Sequence, residues 1–103
     1  MPARPTPGFE PDRATLAGEN ADVYFRRTQR ILAAEGLDPV VAMEVFARQR
    51  ALLCGMREVE GLLREVLAGV AGASVERRPE GRWLDPGEVI LRIAGPYRAF
   101  GLY

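Results

Sequence analysis

Apolar and polar positions alternate along this chain with two different periods. From Asn20 to Glu35 the apolar residues Val23, Ile31 and Leu32, joined by aromatic Tyr24 and Phe25, recur at helical spacing and stop at Gly36. Asn20 suits an N-cap and Gly36 a C′ position, so the pattern predicts a helix between them. Arg26, Arg27 and Arg30 interrupt its apolar face, which makes it more polar than a core helix. A second helix is predicted from about Met56 to Ala68, where Val59, Leu62, Leu63, Val66 and Leu67 follow an i, i+3, i+4, i+7, i+8 pattern and one face must be buried. Arg57, Glu58, Glu60, Arg64 and Glu65 form its solvated side, and Ala68-Gly69-Val70-Ala71-Gly72-Ala73 ends it.

The segment 40–48 is open to two readings. Its β-branched start and the alternation of Val41, Met43 and Val45 with Ala42, Glu44 and Phe46 favour a strand, while its Ala, Met, Glu and Arg residues also tolerate helix. The remainder predicts β structure. Ser74 to Arg78 is short, Pro79-Glu80-Gly81 and Asp85-Pro86-Gly87 are turns, and Glu88 to Ala94 alternates Val89, Leu91 and Ile93 against Glu88, Ile90 and Arg92. Gly95-Pro96 is expected to break that strand, with Tyr97 to Tyr103 starting another element. An apolar run just beginning at Phe100-Gly101-Leu102-Tyr103 predicts a continuation beyond the last residue. Residues 1–19 carry four prolines, two glycines and few large apolar residues, and are expected to be an irregular arm with Phe9 as its anchor. Residues 20–103 form the domain.

Composition narrows the chemistry. A chain of 103 residues, 48% hydrophobic and 27% charged with 14 bases against 14 acids, is globular and offers no charge for a polyanion such as a nucleic acid. All 14 bases are arginine and there is no histidine, which removes Schiff-base lysines, histidine general bases and histidine metal ligands. The single cysteine, Cys54, has no internal disulfide partner and no histidine to pair with, so a structural role is expected. No signal-peptide run and no segment near the ~20 apolar residues of a membrane span occurs, which points to a cytoplasmic protein.

No Walker loop, GxGxxG, metal-ligand cluster or nucleophile–base pair is present. Gly69 to Gly72 lacks a lysine and follows a helix, and is a helix stop. The strands of Pro79-Glu80-Gly81 to Ile93 resemble those of barrel-sandwich or hammerhead domains, a grammar that biotinyl and lipoyl carriers share, but a chain without lysine cannot be a carrier. The more specific signal is Asn20-Ala21-Asp22-Val23-Tyr24-Phe25-Arg26-Arg27-Thr28. On a helix Asp22 lies at the positive end of the dipole, and Tyr24 and Thr28 share a face. A Tyr–Phe pair on an amphipathic helix is more often a core element than a binding one.

Asp22-Val23-Tyr24-Phe25 with Arg27-Thr28, then Val41-Ala42-Met43-Glu44, then Ile93-Ala94-Gly95-Pro96-Tyr97 with Phe100-Gly101 and Tyr103, resemble in order and spacing the nicotinate phosphoribosyltransferase family, in particular its short archaeal and bacterial branch. The resemblance implies an α+β domain with two main helices and a small, mostly antiparallel sheet of hammerhead type, which in the family packs against a neighbouring subunit's barrel. It further implies a site shared across a dimer interface, in which Tyr24 stacks on the pyridine ring, Asp22 orients the site and Arg27, or its neighbour Arg26, supplies positive charge. Family chains continue into a Glu-Thr-containing helix and a barrel that holds phosphoribosyl pyrophosphate, magnesium and the catalytic residues. Magnesium and ATP are thus implied for the full-length family and no cofactor for this chain, which is expected to be inactive alone. Nicotinate is the implied ligand, and a second copy or a missing barrel portion the implied partner. Two rivals stay open: a non-catalytic module that binds a ligand weakly, and an interaction domain with no ligand.

Overall fold

Helix ends and strand pairing in this computed structural model, which describes residues 10–103, follow from short local signals. Helix α1 (Arg13–Leu16) is followed by α2 (Val23–Glu35), strands β1 (Val40–Phe46) and β2 (Ala51–Leu52), helix α3 (Met56–Val66), strands β3 (Ser74–Arg77), β4 (Trp83–Leu84) and β5 (Val89–Pro96), and helix α4 (Tyr97–Phe100). The arm's expected anchor, Phe9, lies outside the described residues. From residue 10 the arm is more ordered than its composition predicts: Asp12 caps α1 by accepting the Ala14 N–H, and α1 closes on the far end of the domain. There the Tyr103 hydroxyl donates to the Leu16 carbonyl at 2.8 Å. Gly18 packs beside Leu102 so closely that a Cβ would stand 2.5 Å from Leu102 Cδ2.

The N-cap of α2 is Asp22, not Asn20. Residues 18–21 are held in a turn, with the Ala21 N–H bonded to the Gly18 carbonyl, so the helix cannot begin before Asp22. Its other end is as expected: Gly36, at φ 65°, closes the helix in the left-handed conformation that glycine adopts at low cost. Residues 40–46 form a strand, which settles the open choice there. Strands β1, β5 and β3 make an antiparallel sheet in that order, and β2 pairs with β4 in a separate two-stranded ribbon. The ribbon's β2 had no sequence signal, since two residues are too few for a period.

Strand β5 does not break at Gly95-Pro96. Val41 pairs with Gly95 and Val40 with Pro96. The Tyr97 N–H donates to the Pro39 carbonyl, so in the antiparallel alternation β5 residues 91, 93, 95 and 97 bond toward β1 and 90, 92, 94 and 96 toward β3. The Arg78 N–H bonded to the Ile90 carbonyl fits the same parity. Strand β3 ends opposite Ala94, so the missing N–H of Pro96 points past its end and costs no ladder bond. Gly95, at φ 151°, is required by a close approach: a Cβ there would stand 3.2 Å from the Ala73 Cα. Gly95→Ala is expected to lower unfolding free energy by about 1–3 kcal/mol, read from a urea titration.

The core gathers Leu53, Met56, Leu63, Leu84 and Leu91, with Val59, Val66, Leu67, Ile90 and Ile93 partly buried against it. Helix α3 thus buries the face its periodicity predicts. Cys54, expected to be structural, is exposed. Helix α2 buries none of its residues, and β1 is exposed except at Val41. On the outer face Arg92 of β5 joins Glu44 of β1 at 2.7 Å and Glu76 of β3 at 3.3 Å, tying all three strands together. The hydrogen bond and charge of Glu44, then the charge of Glu76, raise the Arg92 pKa.

Candidate functional site

Helix α2 is docked along one side only. The Gln29 amide donates to the Arg98 carbonyl at 3.0 Å. Just beyond the helix, Asp38 Oδ1 accepts the Arg98 N–H at 2.9 Å, so both polar groups flanking this α4 residue are engaged by the α2 region. Phe25 lies on the same side and lines a cavity of about 230 Å³ with Asp22, Leu62, Leu102 and Tyr103. These contacts were not legible in the sequence, because the signal for Gln29 is only its place one turn after Phe25.

The opposite side carries Tyr24, Arg27, Thr28 and Ile31 at i, i+3, i+4 and i+7 spacing. Tyr24 is 71% exposed and Ile31 62%, which is incompatible with a core role for the tyrosine. Arg27 is exposed one turn from Tyr24 and takes part in no ion pair among the described residues. The Thr28 hydroxyl donates back to the Tyr24 carbonyl at 2.9 Å, so the threonine is occupied by its own helix.

Asp22 stands at the start of this helix and accepts the Tyr24 N–H at 2.9 Å. It therefore fixes the first turn and, through it, the backbone that carries the tyrosine. The structure brings Asp22, Tyr24 and Arg27 onto the first turns of one helix; Asp22 borders the 230 Å³ cavity, whereas Tyr24 and Arg27 lie outside it. A groove of about 590 Å³ lies elsewhere, between α3 and β3, lined by Leu63, Arg64, Leu67, Val75 and Arg77 among others.

Chemically, the exposed side of α2 can do two things: offer a flat aromatic face and place a guanidinium within one helical turn of it. A general base or nucleophile with a matched partner is not assembled there. Among the described residues no three His, Cys, Asp or Glu side chains gather where they could hold a metal ion. No helix among the described residues is long and apolar enough to cross a membrane.

No curated protein matches the chain. Among solved structures it is similar to the nicotinate-nucleotide pyrophosphorylase of Pyrococcus furiosus, with a TM-score of 0.76 and 32% identity over 92% of this chain. The chain spans only 25% of that protein. Residues 22–103 match the family described as quinolinate phosphoribosyl transferase, N-terminal domain, a span that begins at the Asp22 cap and takes in both sheets. The hammerhead-type α+β architecture, the family match over most of the chain and the likeness to a solved relative agree, and the chain belongs to the quinolinate phosphoribosyltransferase N-terminal domain family.

Proposed function

We propose that this domain supplies one wall of a pyridine-binding site whose other walls come from a phosphoribosyltransferase barrel, and that the acid bound there is nicotinate. The observation that carries this is the exposure of Tyr24 on the undocked side of α2, with Arg27 one turn away. A tyrosine face offset on a pyridine ring gains about 0.5–1.5 kcal/mol beyond area burial. The guanidinium complements the single carboxylate of nicotinate. In this reading Asp22 positions the helix, and the barrel belongs to a second subunit that covers the apolar surface around α2. Phosphoribosyl pyrophosphate, magnesium and, where the reaction uses it, ATP are held by the barrel. The 103-residue chain alone is then inactive. Its exposed free Cys54 fits a reducing compartment, and the cytoplasm is the proposed location.

The test is pyrophosphate release from phosphoribosyl pyrophosphate and magnesium, with nicotinate or quinolinate, with and without ATP. It compares the chain alone with the chain plus a separately produced barrel portion of a relative. Turnover of nicotinate only in the mixture is expected. Preference for quinolinate would reverse the choice of substrate, and turnover by the chain alone would refute the division of labour. Absence of turnover and of ring binding in the mixture would leave an interaction domain as the better account.

A further inference from the structure

Helix α4 is capped from a distance. Its N-cap position is Pro96, which makes no side-chain cap bond. Asp38, 60 positions earlier, takes that place: its Oδ1 accepts the Arg98 N–H at 2.9 Å, the second-position donor that a capping side chain ordinarily engages. The neighbouring Pro39 carbonyl accepts the Tyr97 N–H at 2.9 Å. A third bond comes from within α2, where the Gln29 amide donates to the Arg98 carbonyl at 3.0 Å. The exit of α2 is therefore part of the α4 cap, and the helix cannot turn about its axis without breaking the Gln29 bond. Its entry rests on the same segment, since Gly18 packs against Leu102 and the Tyr103 hydroxyl holds the Leu16 carbonyl. Residues 97–103 thus hold α2 at both ends.

We propose that Gln29 and Asp38 are positioning residues for the pyridine site: by fixing α2 on α4 they set where Tyr24 stands, although neither meets the ring. This rests on the reading of Tyr24 as one wall of that site. Gln29 follows Tyr24 by five residues, about 140° around the helix and about 7.5 Å along it, so the two lie on nearly opposite sides. At a radius of about 6 Å, turning α2 by about 20° carries the Tyr24 ring by about 2 Å, enough to lose an offset stack on a pyridine. The chemistry of the two bonds also fixes which replacements are tolerated. Asp38 has only to accept, and asparagine can do so; Gln29 has to donate, and alanine cannot.

Steady-state turnover of nicotinate by the chain mixed with a relative's barrel portion tests it. Gln29→Ala and Asp38→Ala are each expected to raise the KM for nicotinate about fivefold, with kcat and the KM for phosphoribosyl pyrophosphate within about twofold of the parent, because stacking acts in the ground state as well. Asp38→Asn is expected to match the parent. In a Tyr24→Ala background Gln29→Ala should add nothing, since its effect is carried by that ring. A second measurement needs no substrate: in the chain alone, amide residual dipolar couplings of α2 and of the sheet are expected to fit a common orientation in the parent and to part in the Gln29→Ala, Asp38→Ala double variant. Should that variant fail to fold, the same comparison is made between Asp38→Ala and Asp38→Asn. Additive effects in the Tyr24→Ala background, an equal rise in both KM values, Asp38→Asn as damaging as Asp38→Ala, or an unmoved α2 would each overturn the positioning role and leave the ring site standing. Absence of nicotinate turnover by the parent mixture would sink the ring site, and the positioning role with it.

Discussion

Leu84→Ala is expected to lower unfolding free energy by about 2–5 kcal/mol, the largest stability loss of any single truncation in this domain. Leu84 is 2% exposed and joins Leu53, Met56, Leu63 and Leu91 in the core, although it stands on a strand of two residues. A ribbon that short cannot close over the cavity the truncation leaves, so the transfer loss and the cavity loss add. The control is Leu52→Ala, on the partner strand and 50% exposed, for which a loss under about 1 kcal/mol is expected. Urea titrations monitored at Trp83, with the slope unchanged, measure both. Equal losses for the two leucines would show that the ribbon does not anchor the core.

Tyr24→Ala is expected to weaken nicotinate binding in the reconstituted site by about tenfold, the equivalent of some 1.4 kcal/mol, while unfolding free energy stays within about 0.5 kcal/mol of the parent. The separation follows from exposure: at 71% the ring has little protein surface to lose, and the Asp22 cap and the Thr28 bond both engage Tyr24 main-chain groups that alanine retains. Calorimetry with nicotinate and a denaturant titration are the two readouts. A stability loss of 3–5 kcal/mol, typical of deleting a large core aromatic, would instead make Tyr24 a core residue.

Much of the architecture was legible because the deciding interactions are local. The stop at Gly36, the buried face of α3 and the alternation along β5 need no knowledge of the rest of the chain. The misreadings share a different cause. Asn20 and Asp22 are equally good caps, and the choice between them depended on a turn at 18–21 beside Leu102 and Tyr103, far along the sequence. Pro96 carries a breaker's signature in sequence because the shortness of the neighbouring β3 cannot be inferred from β5 itself. The site was legible in part. The shared face of Tyr24 and Thr28 follows from spacing, whereas the roles of Tyr24, Asp22 and Arg27 come only from the family resemblance, and helical spacing shows that residues share a face without saying which face is wet. Docking of Gln29 and Asp38 around Arg98 turned Tyr24 outward, and no pattern within α2 announces it.

The bond between Tyr103 and Leu16 spans 87 positions. Closing a loop of that length from an open chain costs about 4 kcal/mol in entropy, far more than one exposed hydrogen bond returns. The sheet must therefore assemble before α1 can settle, after which the two segments are already neighbours and the closure is nearly free. Helix α1 is in this sense the last piece to fold and the first to leave, a unit that opens without disturbing the core.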